Sequence, residues 1–189
     1  MSGMAAGPDP RATLLATIGP AGAGKTTWRR RYAPAGAVVV SLDETRAALS
    51  ACGCSANQAV NDAAVEAGTA VTRATLAAGG TVVWDTTSYL PRFRAHLLGL
   101  AAQYRARTVG LVVLPSLPIV LARNSSRDAT PCPMCGFARR VPDRTVRAMH
   151  HAVTAALPSL PGEGWQTLRY LALPPGLHCP ASTDHKGRN

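Results

Sequence analysis

Leu14-Leu15-Ala16-Thr17-Ile18-Gly19-Pro20-Ala21-Gly22-Ala23-Gly24-Lys25-Thr26-Thr27 decides the fold of this 189-residue chain. Residues 14–18 are an apolar run of strand length, and Gly19 to Thr26 fills every fixed position of the Walker A phosphate loop. Glycines let the backbone turn inward, so that successive N–H groups point at phosphate oxygens. A helix opening at Lys25 adds partial positive charge at its N-terminus. The motif therefore predicts that Gly19, Pro20, Ala21, Gly22, Ala23, Gly24, Lys25, Thr26 and Thr27 hold the phosphates of ATP. Lys25 is expected to reach the β- and γ-phosphates and to serve catalysis. The Thr26 hydroxyl is the expected ligand of Mg²⁺.

Composition singles out the same lysine. The chain has eighteen arginines and two lysines, Lys25 and Lys186, the second in a polar tail. Lysine kept where arginine is used everywhere else fits a point charge on phosphate. The formal net charge of +10 suits a polyanionic partner such as nucleic acid. Hydrophobic residues make up 47%, enough for a core and far from the composition of a disordered chain. The apolar runs are too short to span a membrane. The first ten residues lack a secretory pattern, so the cytoplasm is the expected location.

Outward from the loop, short apolar runs alternate with helical periods. Strands are expected at 14–18, 37–42, 81–85, 108–114 and 166–171. Helices are expected from Lys25, over 57–78, around 93–104, over about 116–126, and from Val146. This alternation predicts an α/β fold, a parallel sheet flanked by helices with a helical lid over about 123–145. One domain over 11–173 is expected, with flexible ends at 1–10 and 174–189.

Right-handed crossovers place all strand-to-helix loops at one sheet edge, where ligands bind in such folds. Asp43, in Ser41-Leu-Asp-Glu-Thr-Arg46, and Asp85, in Val82-Val-Trp-Asp-Thr-Thr87, both stand at that edge. A carboxylate there can take a proton from an attacking hydroxyl or hold Mg²⁺ through water. As plain alternatives, Asp43 caps a helix and Asp85 occupies a turn. Arg46, three residues after Asp43, can hold an anionic acceptor. Arg123 and Arg127 share a helix face before the irregular segment 128–142, which carries Arg139 and Arg140. A basic flap closing over a triphosphate excludes water and stabilises transferring charge. In Trp28-Arg-Arg-Arg-Tyr32 the arginines point in different directions around a helix, which reads as solvated surface.

The order of these motifs resembles the 5′-hydroxyl polynucleotide kinases of the P-loop kinase superfamily. The shared elements are Walker A, Ser41-x-Asp43-x-x-Arg46, Asn57-Gln58 opening a helix, apolar-Asp85-x-Thr87 with Arg94 downstream, and Arg123-Asn-x-x-Arg127 before a lid. The resemblance covers about 11–157. It implies that Asp43 is the general base, that Arg46 grips a phosphate of the acceptor, and that Asp85 and Arg94 line the acceptor site. It also implies that Arg123, with Arg127 beside it, bridges the donor phosphates. Thr86-Thr87-Ser88 departs from the family's usual Ala-Thr-Asn or Asn-Thr-Asn.

The expected activity is transfer of the γ-phosphate of ATP to a hydroxyl, the 5′-hydroxyl of a polynucleotide. A small-molecule kinase with the same donor site and a nucleotide-dependent switch without acceptor chemistry are the alternatives. Cys132-Pro-Met-Cys135 has the spacing of half a zinc site. Cys52 and Cys54 are awkwardly spaced for the other half, so the sequence by itself does not assign zinc.

Overall fold

The computed structural model describes residues 12–173. The ends expected at 1–10 and 174–189 lie outside these residues. Five strands, β1 (Thr13–Ile18), β2 (Val38–Ser41), β3 (Thr81–Asp85), β4 (Arg107–Val113) and β5 (Thr167–Leu171), pair in the order β2-β3-β1-β4-β5. All four pairings are parallel, with Leu15 opposite Val83 on one side and Val109 on the other. Six helices connect them: α1 (Lys25–Tyr32), α2 (Leu42–Leu49), α3 (Asn61–Ala77), α4 (Pro91–Gln103), α5 (Leu117–Ser125) and α6 (Asp143–Ala156).

β1 reads as an unbroken apolar run because both of its faces are covered. Leu14, Ala16 and Ile18 join Trp84, Leu97, Leu100, Val153 and Leu157 in the larger core. Leu15 points the other way, into a smaller core with Val83, Val109, Leu111 and the partly buried Trp28 of α1. This is the period of two that a strand imposes. Trp84 is fully buried, and its indole Nε1 donates to the Thr72 hydroxyl at 2.8 Å, so α3 is tied to the sheet as well as packed on it.

Element ends shift by a few residues from the sequence expectation, and at two of them the local reason is visible. The strand expected to run to Leu42 stops at Ser41, because the Ser41 hydroxyl accepts from Glu44 N at 3.4 Å and caps α2. Such a cap contributes about 1 kcal/mol. The helix expected from 57 begins as a 3₁₀ turn, Gln58–Val60, with the Asn57 side chain accepting from Ala59 N at 3.0 Å. Among the described residues, no helix is long and apolar enough to cross a membrane.

Candidate active site

The phosphate loop joins the buried central strand to α1. Gly22 and Gly24 adopt φ of +85° and +101°, left-handed values that glycine alone takes without strain. At Gly22 a side chain is also barred by contact, since a Cβ there would lie 2.6 Å from Val120 O on α5. The loop is braced against the end of β3. Gly19 N donates to Thr87 O at 2.9 Å, while the buried Thr17 hydroxyl meets the carbonyls of Trp84 and Thr86 at 3.2 and 2.9 Å.

Lys25 is buried, and its Nζ donates to the carbonyls of Gly19 and Pro20 at 2.9 and 2.7 Å. Burial lowers its pKa to about 8, against the opposing pull of Asp85; Arg127 lowers it further and Asp43 raises it. Asp43, Asp85 and Arg127 are thus each within electrostatic reach of the Lys25 ammonium. Thr26 and Thr27 are exposed beside it. The Thr26 hydroxyl donates to the Asp85 carboxylate, which burial pushes above the usual carboxylate range. Asp85 thus faces the donor loop, whereas the family resemblance had it lining the acceptor site.

Asp43 stands in the first turn of α2. Ser41 is the cap, so the carboxylate of Asp43 is not used for that purpose; its side chain is 71% exposed and ion-paired with Arg46 Nη2. Arg46 itself is buried. Its Nε donates to Ser55 O at 2.9 Å and its Nη1 to Asn61 Oδ1 at 3.0 Å. Three of the five N–H groups of a guanidinium are therefore committed inside the protein.

Arg94 requires a correction. It is fully buried and forms a fork with Glu163 at 2.5 and 2.7 Å, while Nη1 donates to the carbonyls of Ser88 and Tyr89. A guanidinium so enclosed does not reach a substrate. It braces the loop that follows Asp85. Within that loop Ser88 sits at φ +41°, a region that Asn visits more readily than Ser, at the position where the family usually has Asn.

Arg29 is the second correction. It is buried, not solvated, and links Glu44 Oε1 at 2.7 Å to Asp85 Oδ2 at 3.3 Å. Its position four residues after Lys25 puts both on one helix face, a signal available in the sequence. Ser41-x-x-Glu44 has the capping-box spacing, but Glu44 turns instead to Arg29.

Arg123 is exposed and its Nη1 donates to Ala23 O at 3.2 Å, which sets it over the phosphate loop. Asn124, fully buried, pins the two ends of the following segment. Its amide donates to Val141 O at 2.7 Å and its carbonyl accepts from Val141 N at 3.2 Å. The lid has the end of α5 and the start of α6 as its two helical arms, and the tip between them, 126–142, is irregular. Arg140 in that tip contacts Asp143 at 3.4 Å. The tip also carries Cys132 and Cys135, whose sulfurs lie within 4.8 Å of each other and of the Cys52 sulfur.

A left-handed glycine loop before a helix, a buried lysine on it and two strand-edge acids beside it define a nucleotide-binding protein of the P-loop kinase-like α/β fold. Residues 14–156 match the model of the AAA domain family, and the chain belongs to that family. Several solved structures share the fold, three of them as follows. A chain of the Pnkp1/Rnl/Hen1 RNA repair complex aligns with 84% of this chain and 49% of its own, at a TM-score of 0.62 and 17% identity. A putative kinase from Chloroflexus aurantiacus aligns with 85% of this chain and 87% of its own, at 0.61 and 17%. Kti12 of Chaetomium thermophilum, in complex with ADP-AlF3, aligns with 85% and 89%, at 0.58 and 19%. The protein described here spans about half the length of the RNA-repair chains it matches. No curated protein sequence matches it.

Proposed function

We propose that the protein is an ATP- and Mg²⁺-dependent phosphotransferase that delivers the γ-phosphate to the 5′-hydroxyl end of a polynucleotide. The observation that carries this reading is the exposed Asp43 carboxylate, held by Arg46 at the first turn of α2 and within electrostatic reach of Lys25. The net charge of +10 and a fold shared with a chain of an RNA repair complex support the choice of a polyanionic acceptor. One kinase domain over 11–173, with 123–145 as its lid, belongs to this reading, as does a cytoplasmic setting rich in ATP.

The exposed Thr26 hydroxyl and the Asp85 carboxylate are hard oxygen donors of the kind Mg²⁺ accepts, so the residues fit that ion. Bound there, it would neutralise phosphate charge. The loop N–H groups from Gly19 to Thr27 and the Lys25 ammonium hold the donor phosphates. Asp43 accepts the proton lost by the hydroxyl as its oxygen bonds to the γ-phosphorus, and the bond from that phosphorus to the bridging oxygen breaks to release ADP. Arg123 and Arg127 offset charge gathering on the leaving group, and Arg46 orients Asp43 with N–H groups to spare for the acceptor.

Transfer from γ-labelled ATP to a 5′-hydroxyl oligonucleotide tests this. Asp43→Asn is expected to lower kcat by about 10²- to 10⁴-fold, an effect far larger than its effect on ATP affinity. Full activity in that variant, or no labelling of the wild-type reaction, overturns the proposal. The internal commitments of Arg46 favour one second reading, a small neutral alcohol as acceptor. Labelling of small alcohols with none of the oligonucleotide selects it.

A further inference from the structure

Cys132-Pro133-Met134-Cys135-Gly136 forms a tight turn at the lid tip. Gly136 N donates to Cys132 O at 2.8 Å, and Cys132 N donates to Phe137 O at 2.9 Å. The backbone N–H groups of Met134 and Cys135 point at the Cys132 sulfur, and that of Phe137 points at the Cys135 sulfur. Amide N–H groups aimed at sulfur fix the direction in which the sulfur presents its lone pairs to a ligand. Facing this turn is Cys52-Gly53-Cys54, 78 positions away from Cys54 to Cys132. It is bent by Gly53 N donating to Ser50 O at 2.8 Å and Asn57 N donating to Cys54 O at 3.2 Å. The sulfurs of Cys52, Cys132 and Cys135 lie within 4.8 Å of one another. Cys54 also makes a side-chain contact with Cys135. All four are free, half-buried thiols.

From this convergence we infer a structural zinc site with Cys52, Cys54, Cys132 and Cys135 as its four ligands. Soft thiolates in a four-fold set select zinc over the hard Mg²⁺ of the phosphate site. With Zn–S bonds of about 2.3 Å, tetrahedral sulfurs stand roughly 3.8 Å apart, so Cys52, Cys132 and Cys135 need only a small contraction to close on the ion, and Cys54, outside that group of three but in contact with Cys135, turns in as the fourth ligand. On binding, four thiols release four protons to solvent and no oxidant is needed. The site joins the lid tip to the loop 50–57, whose Ser55 carbonyl accepts from Arg46. Asn124 already fixes the base of the lid. With both ends fixed, the lid is a bridge from Arg123 on the donor side to Arg46 on the other, and not a free flap. None of this depends on the identity of the acceptor.

The test is metal analysis of the full chain purified under reducing conditions and reconstituted with Zn²⁺, without nucleotide. About one zinc per chain is expected, and Co²⁺ in its place should give the thiolate-to-metal charge-transfer and visible bands of a tetrahedral tetrathiolate. Cys54→Ser and Cys132→Ser should each lose the metal, whereas Cys179→Ser should keep it. Failure of the wild-type chain to take up zinc, a cobalt spectrum without the tetrathiolate bands, or loss of metal in Cys179→Ser with retention in Cys54→Ser would overturn the site. The wild-type cobalt spectrum decides the matter even if the cysteine variants do not fold.

Discussion

The donor half and the acceptor half of this molecule are built in opposite ways. The donor half is a nearly continuous stretch: β1, the glycine loop and the first turn of α1 supply the phosphate cradle, and the lid adds Arg123 and Arg127. Its central cation is buried and satisfied from within, as in Lys25 on the Gly19 and Pro20 carbonyls. The acceptor half is assembled from α2, the loop 50–57, the start of α3 and the lid, joined by Arg46, Asn61, Asn124 and the clustered sulfurs of Cys52, Cys132 and Cys135. Its proposed base is exposed. A rigid cradle with an adjustable partner wall suits a site in which one substrate is always the same nucleotide and the other must enter and leave.

Removing the centre of the donor half should have the broadest effect, on binding and transfer together. Lys25→Ala leaves the loop carbonyls without their cation and the phosphates without their nearest charge. Loss of such a preorganised charge costs about 10²- to 10³-fold in kcat. Phosphate transfer and binding of a fluorescent ATP analogue should both fall, while thermal unfolding stays cooperative. Unchanged nucleotide binding in this variant would break the donor half of the comparison.

The next effect is on stability, and it separates a strut from a substrate contact. Arg94→Met leaves the Glu163 carboxylate unpaired and the Ser88 and Tyr89 carbonyls without a donor. Breaking a buried ion pair from one side costs about 3–5 kcal/mol. Denaturant unfolding should show that loss, with KM for the acceptor unchanged in the fraction that remains folded. Arg94→Met with Glu163→Gln should recover part of it. A raised KM with unchanged stability would return Arg94 to the substrate.

The same contrast explains what could be read from the sequence. The donor half is legible because its chemistry is contiguous: eight positions in a row carry the motif and the flanking apolar run fixes the strand. The sheet follows from strand-length runs alternating with helical periods, and the element ends shift by a few residues where Ser41 and Asn57 cap locally. The acceptor half depends on contacts across long separations, which spacing does not reveal. Arg94 was drawn toward the substrate because its partner, Glu163, lies 69 positions away. The approach of Cys52 to Cys132 and Cys135 is hidden in the same way, because 80 positions separate Cys52 from Cys132. Arg29 is the one miss that a closer reading of helix periodicity would have recovered.

The smallest expected effect concerns the coupling between the two halves. Burial lowers the Lys25 pKa to about 8, so without nucleotide the ammonium loses its proton as pH rises through that value. A polyanionic phosphate needs the charged form, so binding above this pH must include proton uptake. ATP affinity should therefore fall by about tenfold between pH 7 and 9, following the fraction of lysine that is protonated. Lys25→Met should flatten the profile. The neighbours should move its midpoint in opposite directions: Asp85→Asn and Asp43→Asn downward, because both carboxylates favour the charged amine, and Arg127→Ala upward, because that guanidinium opposes it. A midpoint indifferent to Asp43 and Arg127 would mean that the lid and α2 do not reach the phosphate loop in solution, and the two halves would then be neighbours in the fold without sharing a site.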